Sequence, residues 1–146
     1  MNAALRLWSA RLLIGAVLLM NVQCAVHFII APADYAPGFE LSGAVGEATV
    51  RGIGVLFLMW NVPYVIAALD PLKHHLSHYE AIAMQAIGVV GESWVLWNLP
   101  AGHPAAAAAI TRFIIFDGAG LLALLMALWV MRPSRNPLIV VQGIKG

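Results

Sequence analysis

Three ionisable residues, Glu92, Arg112 and Asp117, lie inside stretches of the sequence that are otherwise long and apolar enough to cross a membrane. Ionisable side chains within a bilayer are rare, and they usually pair with one another or mark a substrate path or proton relay. Arg51 and His27 lie near the ends of two further apolar stretches. These five residues are the candidate ligand-binding residues. Their types favour binding of a polar group or transfer of a proton.

The composition places these residues in a membrane protein. The chain has 146 residues, of which 62% are hydrophobic and 10% are charged, whereas a soluble domain averages about 25% charged residues. A hydrocarbon core ~30 Å thick is crossed by ~20 apolar residues in a helix. The sequence therefore predicts an all-α fold, an integral membrane antiparallel four-helix bundle. It forms a single domain over residues 1–146, with spans at about 7–31, 48–69, 79–99 and 104–131. The first apolar run is longer than that of a signal peptide, so we expect an uncleaved helix.

The basic residues of the predicted loops indicate the orientation, because cytoplasmic loops carry an excess of lysine and arginine. The first loop contains Asp34, Glu40 and Glu47 and no lysine. Both termini are therefore predicted to be cytoplasmic. The net charge of +1 gives no argument for a nucleic-acid partner. Six basic residues share the predicted cytoplasmic side: Arg6, Arg11, Lys73, Arg132, Arg135 and Lys145.

The five candidate residues come from four predicted helices, and a rise of ~1.5 Å per residue places them in the outer half of the membrane. A lone charge there costs at least ~2.5 kcal/mol on insertion scales. We therefore predict a polar cavity in which Glu92 pairs with Arg112, and Asp117 pairs with Arg51 or His27. The alternative is structural: the same pairs fix the register of the helices and carry no chemistry.

Other polar residues favour structural roles. Asn61 and Gln85 fall at comparable depth in the inner half, where amides commonly join helices by hydrogen bonds. Pro63 is expected to kink the second span. His74 and His78 have a spacing that could bind a divalent metal on a helix, but a solvated cytoplasmic loop is favoured. No metal site is predicted.

A family resemblance rests on Val50-Arg51-Gly52-Ile53-Gly54 and on the long first loop that ends in Gly43 to Glu47. Over most of the chain, this pattern resembles the DoxX-like family of small four-helix bacterial membrane proteins. Some members of that family are associated with quinone-linked sulfur oxidation or redox-stress complexes. The resemblance implies a multi-pass protein of the bacterial inner (plasma) membrane. The chain has a single cysteine, so it offers no cysteine pair for thiol chemistry.

Three functions are open at this point. In the first, the cavity binds a small amphipathic molecule that is quinone- or lipid-like; Arg112 and Arg51 hold its anionic or carbonyl group, and Glu92 and Asp117 set charge or move protons. In the second, the chain is an accessory subunit of a larger membrane complex, or forms a homo-oligomer. In the third, it is an enzyme in which His27 and a carboxylate act as acid and base; His27 would then lie within ~2.6–3.2 Å, or one water, of a carboxylate or of a substrate proton. No cofactor is assigned.

Overall fold

The computed structural model describes residues 2–132. Arg135 and Lys145, which contribute to the predicted orientation, lie outside the described residues. Between residues 2 and 132 the chain is helical and contains no strand. The helices are α1 (Ala3–Ile30), α2 (Pro32–Tyr35), a 3₁₀ turn (Ala36–Phe39), α3 (Gly43–Trp60), α4 (Val62–Leu69), α5 (His75–Asn98) and α6 (Pro104–Met131).

Three helical segments are long and apolar enough to cross a membrane: Ala3–Ile30, Gly43–Leu69 (α3 together with α4) and Pro104–Met131. These confirm the all-α class and coincide with three of the four predicted spans. The predicted third span forms helix α5, but α5 does not reach the same apolar character. The reason lies in its composition, because α5 carries His78, Gln85 and Glu92 among its apolar residues.

Capping residues and prolines determine where several helices begin. The Asn2 side chain accepts a hydrogen bond from the backbone N–H of Leu5 at 2.8 Å, so α1 starts earlier than the predicted residue 7. Pro32 and Pro104 occupy the first helical positions of α2 and α6, where a missing N–H costs nothing. The predicted boundaries of the last span, 104 and 131, match α6.

The second apolar segment is broken between α3 and α4. Pro63 has no backbone N–H to donate to the carbonyl four residues before it. The backbone N–H of Asn61 donates to the carbonyl of Leu58 at 3.2 Å, and the Asn61 side chain donates from Nδ2 to the carbonyl of Phe57 at 2.6 Å. The predicted kink at Pro63 is therefore present. It changes the packing partners of the chain: α3 packs on α1, whereas α4 packs on both α1 and α5. No packed interface joins α3 to α5.

Two ends of the packed helices can be distinguished by their hydrogen bonds. At what we name the basal end, Arg6 Nε donates to the carbonyl of Val130 at 2.8 Å, and Arg11 donates to the carbonyl of Leu69. The start of α1 is thereby tied to the ends of α4 and α6. At the opposite, apical end lie α2, the 3₁₀ turn and the 99–103 connection.

The apical end is held by Glu40, whose backbone is left-handed with φ 58°. One carboxylate oxygen accepts from the N–H groups of Ala105 and Ala106 at 3.2 and 3.3 Å, at the start of α6. The other carboxylate oxygen lies 2.5 Å from His103 Nδ1. The hydrogen bond from His103, followed by those from the helix, lowers the pKa of Glu40. The first loop is therefore attached to α6 by a carboxylate that stays ionised.

Candidate functional site

A cavity of about 570 Å³ opens where α3 and α5 diverge. α1 and α6 contribute the residues behind it, and Phe39 of the 3₁₀ turn lies at its apical end. Its volume falls in the range of small-molecule sites, which are mostly apolar with a few polar groups. The apolar lining is Phe39, Ile53, Phe57, Trp60, Met84, Ile87, Trp94, Val95, Ile110 and Phe113. The remaining lining residues are Asn21, Asn61, Tyr64, Gln85, Gly88, Gly91, Glu92 and Asp117.

A hydrogen-bonded chain joins α4, α5 and α6 at the deep end of the cavity. The Tyr64 hydroxyl donates to Gln85 Oε1 at 2.6 Å, and Gln85 Nε2 donates to Asp117 Oδ1 at 2.9 Å. Tyr64 and Gln85 are both buried. This order fixes the Gln85 amide with its oxygen towards Tyr64 and its nitrogen towards Asp117. The chain therefore holds one carboxylate of the cavity in a defined position.

Two glycines make room for this chain. A Cβ atom on Gly88 of α5 would overlap Asp117 Oδ2, and a Cβ atom on Gly120 of α6 would lie 2.5 Å from Gln85 Nε2. Asp117 thus lies opposite Gly88, which is three residues from Gln85 on α5. Gln85 lies opposite Gly120, which is three residues from Asp117 on α6. Small residues at such contacts let helices approach closely. This reciprocal fit explains why glycine occupies positions 88 and 120.

Two further acceptors of the cavity lack a partner among the described residues. Glu92 Oε2 is buried without a hydrogen bond. Asn61 Oδ1 also has no hydrogen-bond partner, and Asn61 is only 4% exposed. A buried polar atom without a partner is costly, and it calls for an explanation such as a bound molecule. Unsatisfied acceptors are therefore a property of this cavity.

The structure brings together only two of the five predicted site residues. Glu92 and Asp117 both line the cavity, whereas Arg112 lies in a separate groove with Cys24 and Asp34. The predicted Glu92–Arg112 ion pair is absent from residues 2–132, where the ion pair found is Glu40–His103. Helical geometry explains the difference, because five residues separate Arg112 from Asp117 and so rotate them by about 140° around α6.

The other two predicted partners of Asp117 are also elsewhere. Arg51 is exposed and donates from Nε to the carbonyl of Ile29 at 3.1 Å. His27 is exposed, and its Nδ1 lies 2.7 Å from the carbonyl of Gln23, one turn before it on α1. The predicted pairing of Asp117 with either residue is therefore wrong. Asp117 is satisfied instead by the uncharged Gln85, a residue for which the sequence predicted only a structural role.

His78 also differs from its prediction. It does not lie in a solvated loop: its side chain is fully buried on α5, and Nε2 lies 3.0 Å from the carbonyl of Leu124 on α6. His78, Gln85 and Glu92 are spaced by seven residues, so they share one face of α5. That spacing is the sequence signal that could have identified the inward face. No group of three His, Cys, Asp or Glu side chains in residues 2–132 could hold a metal ion.

No family model, no curated protein and no solved structure matches this chain.

Proposed function

We propose that the chain is a four-span membrane protein of the bacterial inner membrane, with α1, α3–α4, α5 and α6 as an antiparallel bundle and both termini cytoplasmic. Large apolar side chains face outwards all around the helices, among them Leu12 at 71%, Val90 at 70% and Trp97 at 86% exposure. Exposed apolar area of this extent marks contact with lipid or with another protein.

Helix α5 supports this proposal despite its polar residues. The inward face carries His78, Gln85 and Glu92, while Val90 and Trp97 face outwards. Polar groups inside and apolar groups outside are the arrangement that a bilayer favours, since lipid offers no hydrogen bonds. The polar residues that lower the hydropathy of α5 therefore need not contact lipid when the helix is packed against α4 and α6.

We further propose that the protein binds a small amphipathic molecule in the cavity between α3 and α5. The observation that carries this proposal is the gap itself: an apolar, aromatic-lined space that ends at the Tyr64–Gln85–Asp117 chain. An apolar body would contact Phe57, Phe113 and their neighbours, and a polar group would reach the deep end. Because the gap opens sideways between two helices, such a molecule could enter from the lipid phase.

Photolabelling tests the binding proposal. We would incubate the protein in lipid nanodiscs with a neutral naphthalene that carries a diazirine, irradiate, and identify labelled peptides by mass spectrometry. We expect label on residues 53–64 and 84–95. Gly91 lines the cavity and has free space beside it, so Gly91→Phe should block labelling. Gly52 has free space but lies outside the cavity lining, and Gly52→Phe is the matched control. Label spread evenly over all apolar surfaces would contradict the proposal.

The accessory-subunit hypothesis remains the second candidate, because the exposed apolar side chains could equally cover a partner protein. The resemblance of residues 50–54 to DoxX-like proteins is compatible with membership of a redox complex. Purification in a mild detergent separates the two: a stoichiometric larger partner supports the accessory role, and a monomer or homo-oligomer supports the binding protein. The third candidate, the His27 enzyme, has no direct hydrogen bond from His27 to a carboxylate within residues 2–132, where His27 Nδ1 lies 2.7 Å from the carbonyl of Gln23.

A further inference from the structure

We infer that the molecule bound between α3 and α5 is a lipophilic ammonium ion, a protonated amine on an aromatic or alkyl body. This inference rests on the proposed binding function and names its ligand class. Three properties of the cavity lead to it: the sign of its charged groups, the hydrogen-bonding role of its free polar atoms, and the aromatic rings beside them.

The charged groups of the cavity are all acidic. Glu92 and Asp117 line it, and none of its lining residues within the described chain is Lys, Arg or His. The basic residues that the sequence predicted as their partners point elsewhere: Arg51 bonds to Ile29, and Arg112 lies in a different groove. The two carboxylates therefore lack a cationic counterpart from residues 2–132. A cationic ligand would supply one.

The buried polar atoms of the cavity that lack a hydrogen-bond partner within residues 2–132 are acceptors. Glu92 Oε2 and Asn61 Oδ1 are buried and have no donor among the described residues. The amide of Asn61 and the hydroxyl of Tyr64 already donate to Phe57 and to Gln85. An ammonium group has three N–H donors and no acceptor. It complements these atoms, whereas the carbonyl oxygens of a quinone would add further acceptors.

Aromatic rings complete the fit. Phe57, Trp60, Trp94 and Phe113 line the same space, and Phe57 stacks on Trp60 with 6.2 Å between ring centroids. Aromatic faces attract cations, and tryptophan does so most strongly. These rings also accommodate the apolar body of an amphipathic amine. The combination of carboxylates and indoles is specific for a positive charge, because neither group favours an anion.

The experiment compares four ligands with one bicyclic ring system: 2-(2-naphthyl)ethylammonium, 2-(2-naphthyl)ethanol, 2-naphthylacetate and 2-methyl-1,4-naphthoquinone. Binding is measured by equilibrium dialysis against phosphatidylcholine nanodiscs with and without protein, so that partition into lipid is subtracted. We expect the ammonium ion to bind roughly tenfold or more tightly than each of the other three, from charge-assisted hydrogen bonds and ring contacts.

Substitutions test whether the preference for the ammonium ion arises in the cavity. Glu92→Gln should weaken ammonium binding by roughly tenfold, because the charge-assisted hydrogen bond is lost. Binding of the alcohol should change little. Glu80 is an exposed acid on the same helix outside the cavity lining, so Glu80→Gln should leave both unchanged.

The outcomes separate the two proposals. Equal or tighter binding of the alcohol or the quinone would overturn the ammonium inference and leave the binding function standing. An ammonium preference that persists in both Glu92→Gln and Asp117→Asn would also overturn the inference, because the preference would then arise outside the cavity. Failure of all four ligands to bind would remove both. The comparison of the four ligands on the unaltered protein decides the matter even if a variant does not fold.

Discussion

The basal and apical halves of the helices are packed by different means. The basal core is built around small residues, with Ala10, Ala67, Ala81 and Ala127 fully or almost fully buried beside Leu124. The apical core is built around phenylalanine rings: Phe28 contacts Phe39, Phe57 and Phe113 at centroid distances of 5.8 to 6.1 Å. Alanines let four helical segments approach closely, whereas phenylalanine rings fill larger spaces between them.

The break between α3 and α4 lets one chain combine a closely packed basal half with an open site. Below the break at Asn61, α4 lies against α5; above it, α3 follows α1 and leaves α5. The polar chain Tyr64–Gln85–Asp117 lies at this boundary. An opening in the apical half therefore does not require a loosely packed protein, because α3 remains fixed to α1 while it is separated from α5.

We expect the largest effect from a substitution that disrupts the contact between α3 and α1. A Cβ atom on Gly54 would lie 2.7 Å from the carbonyl oxygen of Ala25 and 2.9 Å from the Cβ atom of Phe28. These atoms cannot move without shifting the helix. We expect Gly54→Ala to lower the free energy of unfolding by about 1–3 kcal/mol, as overpacking does. Denaturation in mixed micelles with increasing SDS, followed by tryptophan fluorescence, measures this change.

Gly52→Ala is the control for that experiment. Gly52 has no atom within 4 Å of its Cβ position, and alanine is favoured over glycine in a helix by about 1 kcal/mol. The control should therefore be neutral or stabilising, opposite in sign to Gly54→Ala. Two substitutions with the same effect would show that α3 is not fixed to α1 through Gly54.

The second prediction concerns the boundary between the halves. A Cβ atom on Gly120 would lie 2.5 Å from Gln85 Nε2, which is the end of a side chain and can move. Moving it costs the hydrogen bonds to Asp117 and Tyr64, and hydrogen bonds between membrane helices average ~0.6 kcal/mol each. We therefore expect Gly120→Ala to destabilise by about 1 kcal/mol, less than Gly54→Ala.

The same denaturation assay measures the effect, with Gly118→Ala as control because its Cβ position is free of neighbours. If Gly120→Ala were as stable as Gly118→Ala, the Gln85 chain would contribute nothing to the junction of α5 and α6. In that case the position of Asp117 in the cavity would depend on packing alone.

Sequence patterns predicted the elements better than the contacts between them. Apolar length identified the helices, and Pro63 identified the break. Depth along each helix placed the five candidate residues in one half of the membrane, with Glu92 level with Arg112, but it could not give the direction of their side chains. Arg112 lies in another groove for that reason. The prediction also assumed that charges pair with charges. Gln85 shows that a neutral amide, given glycines opposite, can satisfy a carboxylate at lower desolvation cost than a buried ion pair.

The smallest expected effect concerns the attachment of the apical loop. The pKa of Glu40 is lowered, first by the His103 hydrogen bond and then by the N–H groups of α6. A group with a lowered pKa stabilises the folded state above its unfolded pKa, and this contribution is lost as the pH falls through its folded pKa. Glu40→Gln should therefore lower the melting temperature slightly at neutral pH, and the difference from the unaltered protein should disappear in acid. Asp34→Asn is the control for loss of a negative charge, because it removes a carboxylate between α1 and α3 that is absent from the Glu40–His103 contact. A difference for Glu40→Gln that is constant from neutral to acidic pH would mean that the loop is held by its aromatic contacts, in which case the apical half would depend on Phe28 and its neighbours alone.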